Sequence, residues 1–419
     1  MTTPTPTPTP PEASAPASTP QASPQAGGAL SSAFFNNPYP FLAYMRAAGP
    51  IHKIPNAFGR EVWLITRFEE GVRVLKDPRF SSQISMTAPE HLRPLPQLRQ
   101  LLKGQMISTD PPQHDRLRGL VAKAFTPRFI EGLRPRVQEL ADELIEKTLA
   151  AGKMDFIADF AFPLPIIVIA EMLGVPSDHR DQLRVWSSAI FDAISGDKSD
   201  ATAARLEEFS EYIKGLIAIK RAQPDEALIS QLAQVEEGGS RLDEQELLAM
   251  VVLLIFAGHE TTVSLLGNGL LALFQHPEQL ALLQREPERI PAAIEELLRY
   301  CGPVLSPGPR FATTEVELGG QVIRPGEPVM VVLASANRDL AQFSDPEELN
   351  VARELNRHLA FGHGIHYCLG APLARLEAQV AFTTLFRRLP NLRLDADPKA
   401  LTWRGNLTLR GLSSLPIAF

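Results

Sequence analysis

The segment from Met250 to Phe274 constrains this chain more than any other stretch. It is the most apolar long run, and a run of that length reads either as a membrane span or as a helix inside a protein core. His259, Glu260, Thr261, Thr262, Ser264 and Asn268 interrupt it near its centre. Polar and ionisable side chains are costly at mid-bilayer, so these positions argue against lipid exposure. A long helix through the protein core fits better.

The rest of the chain suits such a core. It has 419 residues, with 44% hydrophobic and 21% charged content, the range of a soluble globular protein. The net charge of −7 makes a nucleic-acid partner unexpected. Two cysteines, Cys301 and Cys368, cannot form a disulfide framework and suit a reducing cytoplasm. Residues 1–31 are Thr-, Pro- and Ala-rich, with neither a basic start nor an apolar stretch. They read as a disordered tail and not as a signal peptide or membrane anchor.

From Phe34 onward the patterning is that of a folded protein. Short helices are expected over Phe41–Ala48 and Phe68–Lys76, around a hairpin within Ile51–Thr66. Residues 80–104 carry Pro89, Pro94 and Pro96 with no clean period, which reads as a long connection. Asp110-Pro111-Pro112 opens a helix with His114 and Arg118 on one face. Helix then follows helix from Phe129 to Gly239, with breaks expected at Gly152, Pro163, Pro165, Pro176 and Pro224. A further helix spans Pro287–Tyr300, short strands such as Val329–Leu333 come next, and a helical pattern runs from Ala371 to Leu389. The fold class is mainly α with a minor β part.

Four groups of residues can carry chemistry. Cys368 ends the stretch Phe361-Gly362-His363-Gly364-Ile365-His366-Tyr367-Cys368 and is followed by Gly370 and a helix start. Glycines permit a tight loop that presents the sulfur, and helical N–H groups aimed at it favour thiolate. Such a sulfur suits a nucleophile with His366 as base, or a zinc site with His363 and His366, or an axial ligand of haem iron. Zinc needs a fourth ligand, and nothing around Cys301 resembles one. In the central helix, Gly258 beside Glu260 and Thr261 suggests close approach of a flat ligand or an opened turn with a proton relay. The alternative is a Thr bonded to the carbonyl one turn back. Glu296 and Arg299 share a helix face, as surface pairs commonly do. His114 and Arg118 are two cationic donors on one face, by default a solvated one.

Taken together, these motifs resemble the cytochrome P-450 family of haem-thiolate monooxygenases. Phe361-x-x-Gly364-x-His366-x-Cys368-x-Gly370 is similar to its haem-binding signature. Ala257-Gly258-x-Glu260-Thr261 resembles its oxygen-activation motif, and Glu296-x-x-Arg299 its structural Glu-x-x-Arg pair. His114-x-x-x-Arg118, Arg310 and His366 resemble the haem-propionate contacts of soluble bacterial members. The resemblance covers about residues 34–419.

The resemblance implies a cytochrome P-450 fold, a triangular helical domain around a buried haem with small antiparallel β-sheets, formed by residues 32–419 as one domain. It implies haem b with Cys368 thiolate as axial ligand, Phe361 and Gly370 packed by the thiolate, and His114, Arg118, Arg310 and His366 neutralising the propionates. Gly258, Glu260 and Thr261 would serve oxygen activation, with O2 as co-substrate. The expected reaction is hydroxylation or epoxidation of an apolar small molecule, such as a terpenoid, steroid, fatty acid or polyketide. Met86, Leu92, Phe256, Ala257, Val304, Leu305, Leu407, Thr408 and Leu409 are the expected pocket wall. The sequence carries no flavin or ferredoxin domain, so electrons from NAD(P)H are expected through a separate ferredoxin or flavodoxin, docking with help from Arg116 and Lys123. A cytoplasmic monomer without a membrane is expected. A peroxygenase or isomerase-type member, a haem sensor and a zinc protein are the alternatives.

Overall fold

The computed structural model describes residues 32–55, 61–83, 94–236 and 238–419. The expected tail at residues 1–31 and the pocket positions Met86 and Leu92 lie outside the described residues.

The apolar segment is a single helix, Glu244–Gln275, of 32 residues. Asp243 caps it by accepting from the Glu246 N–H, and the Glu246 carboxylate answers by accepting from the Asp243 N–H. This reciprocal capping box satisfies two donors that a helix start otherwise leaves open. By length and composition the helix would cross a bilayer, but 67% of its most apolar window is buried inside the protein. The helices Pro163–Leu173, Ile290–Cys301 and Ala371–Arg388 pack around it. Gly269 shows how closely: a Cβ there would stand 3.1 Å from Leu297 Cδ1 and 3.2 Å from Phe382 Cζ, on two of these neighbours. Glycine costs about 1 kcal/mol of helix propensity against alanine, and close packing on both sides offsets that loss.

The expected run of helices is realised chiefly as Arg134–Leu149, Pro163–Leu173, Arg180–Ile194, Asp200–Ala222 and Leu228–Gln234. Pro163 and Pro165 do not break a helix but occupy the first turn of one. The N–H groups there have no intrahelical partner to lose, so proline is tolerated. Residues 80–104 hold more structure than their lack of period suggested, namely strand Phe80–Ser81 and helix Pro96–Leu101. Lys153–Asp155 is a strand that periodicity did not reveal, paired to the C-terminal Pro416–Ala418.

The largest sheet orders its strands Ile51–Pro55, Glu61–Ile65, Pro328–Val331, Arg310–Ala312 and Phe80–Ser81. Not all of it is antiparallel as expected: Trp63 pairs with Val329 in parallel register. The two strands are joined by most of the helical chain, and a crossover connection of this kind is what parallel pairing requires. Trp63 and Ile65 face one apolar cluster with Leu75 and Phe80. Val62 and Leu64 face another, with Leu305, Met330 and Leu407. This alternation places a strand-rich wall beside the segments around residues 305 and 407.

Glu296 and Arg299 are not a surface pair. Both are essentially inaccessible, and Arg299 Nε and Nη2 each donate to the carboxylate at 2.7 Å. Arg299 also donates to the carbonyls of Asn337, Pro346 and Glu348. The carboxylate further accepts from Arg353 Nε at 3.0 Å, Asn356 Nδ2 at 2.9 Å and the Asn350 N–H at 2.9 Å. The pair therefore pins the irregular segment around residues 337–356 onto helix Ile290–Cys301.

Candidate active site

Cys368 lies between the one-turn helix Gly364–His366 and helix Ala371–Arg388. Gly362 and Gly364 have φ of 72° and 76°, and a Cβ on Gly364 would stand 2.5 Å from the Leu75 carbonyl oxygen. Only glycine fits there. The Cys368 N–H donates to Phe361 O at 2.9 Å and closes the loop. Cys368 is accessible, whereas Cys301 is buried, donates to Leu297 O at 3.3 Å, and is pushed up by burial to about 12. One thiol is thus available for chemistry.

The N–H groups at the helix start favour the thiolate, as expected, but they are not the largest influence on the sulfur. Enclosure by protein pushes the Cys368 thiol up; the Gly370 and Ala371 N–H groups and the charges of Arg118 and Arg375 oppose this without overcoming it. A bound metal cation would complete the ionisation. Gly370 sits next to the sulfur: a Cβ there would meet Cys368 Sγ in ordinary contact at 3.9 Å. Phe361 is held under the Arg375 guanidinium, 4.5 Å from the ring centroid. Arg375 is fixed in turn by two 2.7 Å bonds to Glu295.

The expected propionate residues do converge. The rings of His114 and His366 meet edge to face at 4.4 Å, and His366 Nε2 and Arg310 Nη1 reach the same Ser82 hydroxyl at 3.0 and 2.9 Å. Asp110 positions that serine by accepting from the Ser82 N–H at 2.9 Å and from Ser81 Oγ at 2.5 Å. Burial, with Arg310 and His114 nearby, lowers His366 to about 4. In this setting His366 is neutral at pH 7 and its ring can offer a hydrogen bond. Burial also pushes the Arg118 and Arg310 guanidiniums down. Arg118 has no hydrogen bond or ion pair among the described residues, although the Cys368 sulfur is near enough to affect it. A half-buried Arg118 without an anion, beside a soft sulfur, fits a ligand bringing both carboxylates and a metal. The donor set fits haem. For the zinc alternative, no cluster of metal-binding side chains occurs among the described residues.

Arg116, expected to help dock a redox partner, is bonded within the chain. It bonds Glu246 at the capped start of the central helix and also donates to Arg241 O at 3.1 Å and Ser240 Oγ at 3.3 Å. Lys123 donates to Glu236 O at 3.4 Å.

In the central helix, Thr261 Oγ1 donates to Ala257 O at 2.9 Å, one turn back. A Cβ on Gly258 would lie 3.2 Å from Ile169 Cδ1, so close helix packing accounts for this glycine. Glu260 is buried, and its Oε2 accepts from Arg404 Nη2. Its Oε1 has no hydrogen-bond partner; His259 Nε2 stands 3.4 Å away. Burial pushes the Glu260 carboxyl up, but His259 and the Arg404 charge outweigh it and hold the group below its ordinary value.

The expected pocket positions are brought together in part. Val304 bridges Leu409, and the Leu305 N–H donates to Thr408 O at 2.9 Å. Leu407 shares an apolar cluster with Leu305. Phe256 packs against the main helical core instead, and Ala257 is exposed. Sequence reasoning missed Ser82, Asp110 and Arg404. Asp110 was visible only as a helix opener, and no local signal ties Arg404 to a glutamate 144 positions away.

A family profile described as Cytochrome P450 matches residues 166–401. Cytochrome P450 monooxygenase PikC of Streptomyces venezuelae is 46% identical, over 93% of this chain and 93% of its own. Mycinamicin IV hydroxylase/epoxidase of Micromonospora griseorubida is 42% identical, over 88% and 92% respectively. The solved structure of the bacillaene polyketide synthase cytochrome P450 PksS of Bacillus subtilis superposes with a TM-score of 0.84 at 41% identity, covering 92% of this chain and 97% of that one.

Proposed function

This chain belongs to the cytochrome P450 family and is a monooxygenase of the bacterial type, and from that premise we propose that it hydroxylates or epoxidises a sizeable apolar molecule of the polyketide or macrolide class. The names of two relatives support that class, one a mycinamicin hydroxylase/epoxidase and one a P450 of a polyketide synthase. The largely apolar segments Val304–Leu305 and Leu407–Leu409 support an apolar ligand. A terpenoid, steroid or fatty acid is the broader alternative. Electrons come from NAD(P)H through a separate ferredoxin or flavodoxin, and residues 32–419 work as one domain in the cytoplasm.

One observation carries the reading: an accessible thiol, Cys368, stands beside an Arg118 that has no anionic partner among the described residues. In the proposed enzyme Cys368 holds the iron of haem b. Arg118, Arg310, His114 and His366 would hold the propionates. Bound haem supplies dioxygen activation, with one oxygen atom passing to the substrate. Phe361 and Gly370 would line the bound group beside the sulfur. Thr261 presents a hydroxyl whose hydrogen is shared with Ala257 O, leaving its oxygen free to accept a proton-bearing partner. Glu260 is the acid of this pair, and its carboxylate faces Arg404.

The test is a titration of purified holoenzyme with macrolide, polyketide and fatty-acyl compounds while following the ferric Soret band. A shift to high spin, followed by a product carrying one added oxygen when NAD(P)H and a ferredoxin system are supplied, is expected for macrolide-type compounds. Turnover of fatty-acyl compounds alone would overturn the substrate class. A colourless protein holding zinc would overturn the haem assignment.

A further inference from the structure

Helix Ile290–Cys301 carries two adjacent glutamates, and only Glu296 belongs to a motif. Glu295 directs its carboxylate elsewhere, onto the residues that flank the cysteine loop. It accepts from Arg375 Nε and Nη2, both at 2.7 Å, and from His358 Nε2 at 3.2 Å. His358 Nδ1 accepts from the Ala360 N–H at 3.1 Å, so the ring hydrogen is on Nε2 and that nitrogen donates. His358 lies ahead of Phe361, and Arg375 lies in helix Ala371–Arg388, beyond Cys368. One carboxylate therefore bridges the two ends of the loop that presents the sulfur.

The Phe361 ring sits among the groups so joined. Arg375 lies 4.5 Å over its centroid, and the His358 and Tyr367 rings stand 6.1 and 6.3 Å away. Arg375 Nη1 also donates to the Tyr367 hydroxyl at 3.4 Å. Tyr367 precedes Cys368, whose N–H donates to Phe361 O at 2.9 Å. A guanidinium is attracted to the electron density of a ring face, and more so when partly desolvated. Phe361 is thus placed by Arg375, and Arg375 by Glu295.

This is not one of the chain's surface pairs. The Glu131 and Arg134 side chains are 62% and 41% exposed, against 26% and 30% for Glu295 and Arg375 and 3% for His358. Two parallel bonds from one guanidinium to one carboxylate fix its plane as well as its distance. Burial pushes the Glu295 carboxyl up, but Arg375 and His358 outweigh it and hold the group at about 2, so it is an anion at neutral pH. Burial likewise pushes the Cys368 thiol up, and the Arg375 charge is one of those that oppose it. The sulfur thus stands in the field of a cation whose charge Glu295 neutralises. Removing one member of the pair leaves the other's charge uncompensated, and the two removals have opposite sign.

We propose that Glu295 is a positioning residue for the cysteine: it clasps both ends of the loop, seats Arg375 on Phe361, and balances the Arg375 charge that a metal bound to the sulfur would otherwise experience. This rests on the haem-thiolate reading of the site and adds to it a control of the metal's electron affinity. The clasp is separate from the Glu296 network, which anchors the segment around residues 337–356 instead.

The test compares Glu295→Gln, Arg375→Gln and the double variant with the parent holoenzyme by two measurements. The ferric–ferrous reduction potential reads the charge. Amide hydrogen exchange at Cys368, whose N–H closes the loop, reads the clasp. Glu295→Gln keeps the shape and loses the charge, so the potential should rise by about 59 mV, a tenfold change in one-electron affinity. Arg375→Gln should lower it by a similar amount, and the double variant should return close to the parent. Exchange at Cys368 should quicken about tenfold in all three, the factor that loss of a charge-assisted bond gives. A merely structural pair would quicken exchange and leave the potentials unmoved, or move them in the same direction; either result would overturn the proposal. So would opposed potentials with unchanged exchange. If Arg375→Gln does not take up haem, Arg375→Lys decides the matter. It keeps the charge but not the fork, so its potential should match the parent while exchange quickens, and a potential shifted as far as that of Glu295→Gln would sink the charge balance. A parent protein that binds no haem would count against the function reading, while exchange at Cys368 in Glu295→Gln would still decide whether the clasp exists.

Discussion

Glu296 and Glu260 are both carboxylates sealed in the helical core beside an arginine, and the fold treats them in opposite ways. Glu296 accepts five hydrogen bonds, two from Arg299 and one each from Arg353, Asn356 and the Asn350 backbone. Glu260 accepts one, from a partly exposed Arg404, and keeps one oxygen bare. A saturated carboxylate in low dielectric has no cheap alternative state: protonating it or moving it breaks several charge-assisted bonds at once. An unsaturated one can exchange its partner with fewer bonds broken. The first arrangement suits a rivet and the second a moving part. Glu377, on the helix after Cys368, extends the series, since burial without a cation pushes it up to about 8.

The comparison breaks if the saturated pair proves dispensable. Glu296→Ala strands a buried Arg299, and losing one partner of a buried pair costs about 3–5 kcal/mol. Chemical denaturation should show that loss, together with poor recovery of folded protein. A cost below about 1 kcal/mol would remove Glu296 from its structural role.

Glu377 gives the next largest effect, with the opposite sign. Burial pushes its carboxyl up to about 8 in the folded protein, against an ordinary 4.5. Between those pH values the folded chain binds the extra proton, so this residue makes stability fall as pH rises from 4.5 to 8 and adds no slope above that. Glu377→Gln removes the slope and should stabilise the protein at pH 8 by on the order of a few kcal/mol. Denaturation midpoints measured from pH 5 to pH 8 in roughly unit steps would check it. Parallel curves for variant and parent would show that Glu377 is already ionised in the fold.

How much of this was legible before the structure depends on the range of the interaction. The Cys368 loop was legible because its glycines, cysteine and following helix are contiguous, and the central helix because its apolar run has one local explanation. The burial of Glu296 was not, because an i,i+3 Glu–Arg pair reads the same on any helix. Glu131 and Arg134 have that spacing on the surface. The partners of Arg116 could not be read either, because Glu246 and Ser240 come from more than a hundred positions away. Arg404 and Asp110 act through tertiary contacts of the same kind. The net sign of the Cys368 shift was not legible, because enclosure, which opposes the helix-start N–H groups, is a property of the assembled fold.

The smallest effect expected in stability is the one that separates the two glutamates most sharply. Glu260→Gln removes a single charge-assisted bond to a cation that keeps access to water. About 1–2 kcal/mol should be lost at pH 7, well short of the cost of Glu296→Ala. The sign with pH follows from the lowered carboxyl. A group held below its unfolded value contributes stability above that value and loses it as pH falls through the folded one. Parent and Glu260→Gln should therefore differ at pH 7 and converge below about 4.5, the ordinary carboxyl value. Glu296→Ala should remain far weaker at pH 7 whatever happens on the acid side. A Glu260→Gln loss as large as that of Glu296→Ala would mean that Arg404 and Glu260 form a second rivet, and that the bare Oε1 is not free to take a proton.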